Sequence, residues 1–163
     1  MSHSITVTRT TTTTTTSALL LNTGYMKTTP GILKFIQLVL GIVTTAIVAH
    51  YITTYNLHAL KSELFHLLMT TTFMIGTFCL LLSCLISIAT GSIISKTIYE
   101  VVYHAVGFIC LLVAGIILMV NVNNRSSNSY YYKPYLSAAI LSLINSLLYL
   151  FSTILATKTY RGI

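Results

Sequence analysis

Residues 98–122 read IYEVVYHAVGFICLLVAGIILMVNV, and the reading of this stretch decides the fold. From Ala105 to Val120 it holds no charged or strongly polar side chain. An apolar run longer than about 20 residues crosses a hydrocarbon core about 30 Å thick as a helix. Its start, however, carries Glu100, one of only two acidic residues in the chain, with Tyr103 and His104 three and four positions on. Those three side chains share one helical face. Thr97 precedes Glu100 by three residues, the spacing of a Thr-x-x-Glu capping box, in which both side chains bond first-turn amides. The stretch therefore reads as a span opened by an interfacial cap, Thr97 with Glu100. A proton relay needs further ionisable groups deeper in the span, and 105–120 offers none.

Three similar runs flank it, giving predicted spans at Ile32–Tyr55, Leu64–Ala89, Ile98–Val122 and Tyr135–Ala156. The links NLHALKSE (56–63), TGSIISKT (90–97) and NNRSSNSYYYKP (123–134) are short, which favours antiparallel neighbours. The expected fold is all-α: an integral-membrane antiparallel four-helix bundle over residues 30–157. Residues 1–29 are expected to form a disordered, threonine-rich tail and 158–163 a short cytoplasmic C-terminal tail. The seven-threonine run Thr10–Thr16 has neither helical period nor apolar mass, so the tail is read as cytoplasmic and open to phosphorylation. SALLL (17–21) is too short for a signal-peptide core, and the first span is expected to direct insertion.

Composition agrees. Of 163 residues, 55% are apolar and 7% charged, with a mean hydropathy of +0.84. Soluble domains carry about 25% charged residues. The net charge of +7 is spread over the connections, where basic residues act as membrane-edge anchors, so nucleic acid is not an expected partner. Lys27, Lys34, Lys96, Lys158 and Arg161 fall on the side of the termini, against Lys61, Arg125 and Lys133 opposite. Five against three places both termini in the cytoplasm by the positive-inside rule.

Small residues mark helix contacts in lipid. Gly41, Thr45 and Ala49 recur in the first span; Cys79, Ser83, Ser87 and Gly91 in the second; Gly107 and Gly115 in the third; Ala138, Ser142 and Ser146 in the fourth. Such stripes either bring the four helices together or present one face to another membrane protein. Gln37, Tyr103, His104 and Asn145 are expected to hydrogen-bond between helices. Tyrosines gather at both membrane edges as aromatic belts, and the Tyr130–Tyr132 run is also a candidate recognition patch. His50, His58 and His66, with Glu63 nearby, have no fixed metal-ligand spacing, and no metal or cofactor is expected. Cys79, Cys84 and Cys110 all lie inside spans and read as packing residues. Asn124-Arg125-Ser126 is a glycosylation sequon close against the third span. The sequence contains no nucleophile–base pair, phosphate loop or dinucleotide fingerprint, so the chain is not read as an enzyme.

The third span resembles that of MARVEL-domain proteins, in which an acidic residue, a Tyr-His pair and a later small residue follow in order. Here these are Glu100, Tyr103, His104 and Ala114. GILKFIQLVLGIV (31–43) is similar to the family's first helix, with Gln37 where an acid often stands. That order resembles the branch of plasmolipin and the myelin-and-lymphocyte protein, and the long polar N-terminus is similar to that of the chemokine-like-factor group. Claudins would need a larger first outer loop, and tetraspanins a cysteine-rich one. The resemblance implies membrane organisation, in vesicle trafficking, apical sorting or cell junctions, at the plasma membrane or in vesicles. The implied partners are membrane lipids, with cholesterol a candidate, other membrane proteins through helix faces, and further copies of the chain. The reading from a different class is a small channel or proton-linked transporter, with Glu100, His104, Gln37 and Asn145 lining one cavity.

Overall fold

The computed structural model describes residues 22–54, 61–124 and 132–162. A 3-10 turn, Thr23–Lys27, leads into α1 (Thr29–Thr54). Then come α2 (Lys61–Ile86), a two-turn α3 (Ile88–Ile94), α4 (Ile98–Asn123) and α5 (Tyr132–Arg161). The four long helices are apolar enough to cross a membrane. In hydrocarbon every backbone polar group must be satisfied within its own segment, so spans fold as helices. A 26-residue helix is about 39 Å long at 1.5 Å per residue, so each overshoots the hydrocarbon and ends among headgroups.

Around the bundle the neighbours run α1–α2, α2–α4, α4–α5 and α5–α1, with α4 on α5 the most extensive contact. The end where α1 begins and α5 finishes is called here the terminal end, the opposite one the loop end. At the loop end an apolar cluster fills the centre: Val48, Leu118, Val122, Tyr135, Ala138 and Ala139. Apolar side chains such as Phe35, Ile42, Phe78, Ile109, Ile116 and Phe151 point outward, where lipid receives them.

Two expected boundaries move. The second span stops at Ile86, because Ser87 is extended and its hydroxyl accepts the Thr90 amide at 3.2 Å. That serine caps α3, so 90–97 is mostly helix rather than a plain link. The expected tail also ends sooner than residue 29. Thr28 donates to the Tyr25 carbonyl at 2.7 Å and accepts the Gly31 amide at 3.3 Å, tying the 3-10 turn to α1. Asn22 N–H bonds the Leu85 carbonyl at 2.7 Å, which anchors the same turn on α2. A Cβ at Gly31 would lie 2.1 Å from the Tyr25 carbonyl oxygen, so the fold-back needs glycine there. Residues 1–21, including the threonine run, lie outside the described residues, as do Tyr130 and Tyr131.

One packing stripe is corrected. Ser83 and Cys79 are exposed, facing lipid, and Ser83 bonds only back to the Cys79 carbonyl. The inward face of α2 is Thr70, Phe73, Thr77, Leu81 and Cys84. Its threonines satisfy their hydroxyls within the bundle, which frees the serine face for lipid. On the other helices, Gly41 lies against Met74 and Gly115 against Leu143. Thr45 pairs with Thr70 at 3.4 Å, and Ser142 donates to the Leu111 carbonyl at 3.4 Å. Ala49 is half-buried, and the fully buried Ser146 bonds within its own helix.

Candidate functional site

The site starts from a lysine. In α1 the inward positions are Gly31, Lys34, Gln37, Leu38, Gly41, Thr44 and Val48, a stripe at helical spacing. Lys34 therefore points into the bundle and is 1% exposed. A buried ammonium needs a countercharge. Glu100, 5% exposed on the diagonally placed α4, supplies it in a direct ion pair. The 3-10 turn closes over the pair: Lys34 Nζ also donates to the Tyr25 hydroxyl at 3.0 Å. Burial raises the Tyr25 pKa above the usual tyrosine range, with smaller pushes from Cys84 and Glu100. Its hydroxyl thus stays protonated and accepts from the lysine.

This overturns two expectations. Thr97 does hold the N-cap position of α4, but without a side-chain cap bond. Its hydroxyl donates to the Ile94 carbonyl at 2.7 Å, and Glu100 has turned to Lys34 instead. A buried ammonium without a countercharge costs far more than a first-turn amide without a cap, so the tertiary contact wins over the capping box. Lys34, in turn, is no membrane-edge anchor. Its charge is neutralised, leaving Lys27, Lys96, Lys158 and Arg161 at the terminal end.

The other polar side chains form two further ties. Gln37 Nε2 donates to Ser152 Oγ at 2.8 Å, and Asn145 Nδ2 to the Gln37 carbonyl at 3.3 Å; both join α1 to α5. Across the second diagonal, Tyr149 of α5 bonds Thr77 and the Phe73 carbonyl of α2. Tyr103 of α4 reaches the same two groups at 2.9 and 3.0 Å. Gly107 makes room for this cluster, since a Cβ there would sit 2.5 Å from the Tyr149 ring. Among the described residues His104 makes no hydrogen bond to another helix. Its Nδ1 donates to the Glu100 carbonyl at 2.8 Å, and its ring packs against Tyr103 and Tyr149. His104 Nε2, Gln37 Oε1 and Asn145 Oδ1 have no hydrogen-bond partner among the described residues.

A nook of about 20 Å³ above the ion pair, lined by Pro30, Ser95 and Thr159 among others, has room for about one water. No group of three potential metal ligands occurs among the described residues. His50 is exposed at the loop end, and His58 lies outside the described residues. Glu63, expected in a link, is buried in the first turn of α2 with His66 one turn on. Sequence reasoning also missed Lys34, Tyr25, Thr77, Tyr149 and Ser152. For Lys34 the signal was there: it continues the Gly31–Gln37–Gly41 stripe. For Thr77 and Tyr149 there was none, because isolated hydroxyls occur on every face.

Four lipid-facing helices tied by polar bonds across their centre define an integral multi-pass membrane protein. The profile described as MARVEL, membrane-associating domain, matches residues 25–155. The chain belongs to the MARVEL family. No curated protein gives a match, and no solved structure does.

Proposed function

We propose that this MARVEL protein is a non-enzymatic organiser of membrane domains, serving vesicle trafficking or cell junctions as an adaptor for other membrane proteins. The observation that carries the proposal is the division of the side chains. The Lys34–Glu100 pair and the hydroxyls of Ser152, Thr77 and Tyr149 are bonded inside the bundle, and broad aliphatic helix faces point outward. Such a surface engages lipids and other helices through shape and close packing. In this reading both termini are cytoplasmic. The bias now rests on four uncompensated cations (Lys27, Lys96, Lys158, Arg161) against three (Lys61, Arg125, Lys133).

Proximity labelling from the N-terminal tail, in cells that express the protein naturally, tests this. Enrichment of junction proteins, sorting machinery or one client is the expected result. A list of bulk membrane neighbours would count against it.

A second reading, a proton-linked transporter or small channel, is favoured by buried acceptors that lack a hydrogen-bond partner among the described residues, His104 Nε2, Gln37 Oε1 and Asn145 Oδ1 among them. It requires flux in proteoliposomes that Glu100→Gln abolishes. Flux no greater than that of empty liposomes removes it.

A further inference from the structure

We infer that the groove between the start of α2 and the end of α4 binds a phospholipid, with its phosphate at Lys61 and an acyl chain along Ile117 and Val120. The groove is an open one of about 660 Å³ at the loop end, comparable in size to ligand sites of about 300–1,000 Å³. Its mouth is polar: Lys61 and Ser62 on α2, Asn121 and Asn124 on α4. Its wall is apolar, running toward the membrane centre. Ile117, Val120, Asn121 and Asn124 follow one another at helical spacing, so a single face of α4 passes from headgroup depth into hydrocarbon over about 10 Å at 1.5 Å per residue.

Charge complementarity selects the occupant. The chain has two acidic side chains; Glu100 pairs with Lys34, and Glu63 turns inward and is 1% exposed. Among the described residues no carboxylate is shown in an ion pair with the exposed Lys61. Lys61 also stands in the first turn of a helix, where the macrodipole disfavours a cation and favours an anion. A phosphate at the mouth of the groove meets the Lys61 ammonium. Asn121 donates its amide to Ser62 Oγ, which ties the two walls of the groove together. A molecule with a phosphate at one end and a chain at the other satisfies both halves of the groove. A sterol or diacylglycerol satisfies the wall alone, and a free phosphate the mouth alone. Phospholipid phosphates line both membrane surfaces, so the assignment does not depend on orientation, and it stands apart from the organiser reading.

The test uses the full chain purified in mild detergent and native mass spectrometry to count retained lipid. The probes are dioleoyl-phosphatidylglycerol, dioleoylglycerol and glycerol phosphate. A lysine near a lipid surface contributes about 1 kcal/mol, so Lys61→Gln should lower phosphatidylglycerol retention about fivefold. Lys133→Gln, an exposed cation at the same end on α5, should leave it unchanged. Dioleoylglycerol should be held no better by the native chain than by Lys61→Gln, and glycerol phosphate should not displace the lipid. Val120→Trp, which fills the wall without touching the charge, should also lower retention. Undiminished retention by Lys61→Gln would overturn the site. So would an equal loss in Lys133→Gln, or displacement by glycerol phosphate. Matching unfolding temperatures across the three variants show that the comparison is between folded proteins.

Discussion

The two ends of the bundle hold together by different physics. At the terminal end the helices are linked by directed polar contacts: Lys34 with Glu100 across one diagonal, Gln37 with Ser152, and the Tyr25 hydroxyl over the lysine. At the loop end Val48, Leu118, Val122 and the alanines Ala138 and Ala139 fill the centre, with the Thr45–Thr70 and Asn121–Ser62 hydrogen bonds beside them. In lipid, apolar packing alone does not choose a partner, since hydrocarbon tails are as apolar as leucine. The polar end can therefore set which helix faces which, while the apolar end allows close approach. The Thr77–Tyr103–Tyr149 cluster stands between them and ties the second diagonal.

That contrast can be broken at graded cost. The largest effect is expected from Lys34→Met. It leaves Glu100 buried without its cation, a loss of about 3–5 kcal/mol, read as a fall in thermal unfolding midpoint in detergent. Next is Gly107→Ala, which drives a methyl into the Tyr149 ring and should cost about 1–3 kcal/mol. Gly41→Ala meets Met74 at its Cβ, 3.2 Å away, rather than at the 2.5 Å of Gly107 against the Tyr149 ring, and should cost less in the same assay. Tyr149→Phe removes its bonds to Thr77 and the Phe73 carbonyl while keeping the ring, at about 0.6–1.7 kcal/mol for a hydrogen bond in the membrane. The smallest effect belongs to Ser83→Leu. The side chain faces lipid, so the midpoint should stay where it is; a marked fall would mean that α2 turns this face inward.

The sequence carried the fold well because its signal is local and strong: four long apolar runs and short links leave one architecture. It carried the polar site unevenly. Glu100, Tyr103, His104, Gln37 and Asn145 stand out as rare polar residues in apolar segments, and all five lie inside the bundle. Their partners were harder to read. Lys34 is 66 positions from Glu100, whereas Thr97 is three away, so the capping box was the visible explanation and the ion pair the real one. The serine stripe misled for a related reason. A spacing of four defines a face but says nothing about what that face meets. On α2 the inward face is marked instead by Phe73 and by threonines that find partners only once the bundle forms. Glu63 reads as a link residue until the start of α2 at Lys61 carries it inside.

The most direct test of this account is a double-mutant cycle on Lys34 and Glu100, with unfolding of Lys34→Met, Glu100→Leu and the combined variant measured in one detergent. The account predicts that the double variant recovers most of the stability lost by either single change, because an apolar pair replaces an ion pair that had been costly to bury. Additive losses, with the double variant as unstable as the two singles summed, would contradict the pairing on which the terminal end is built.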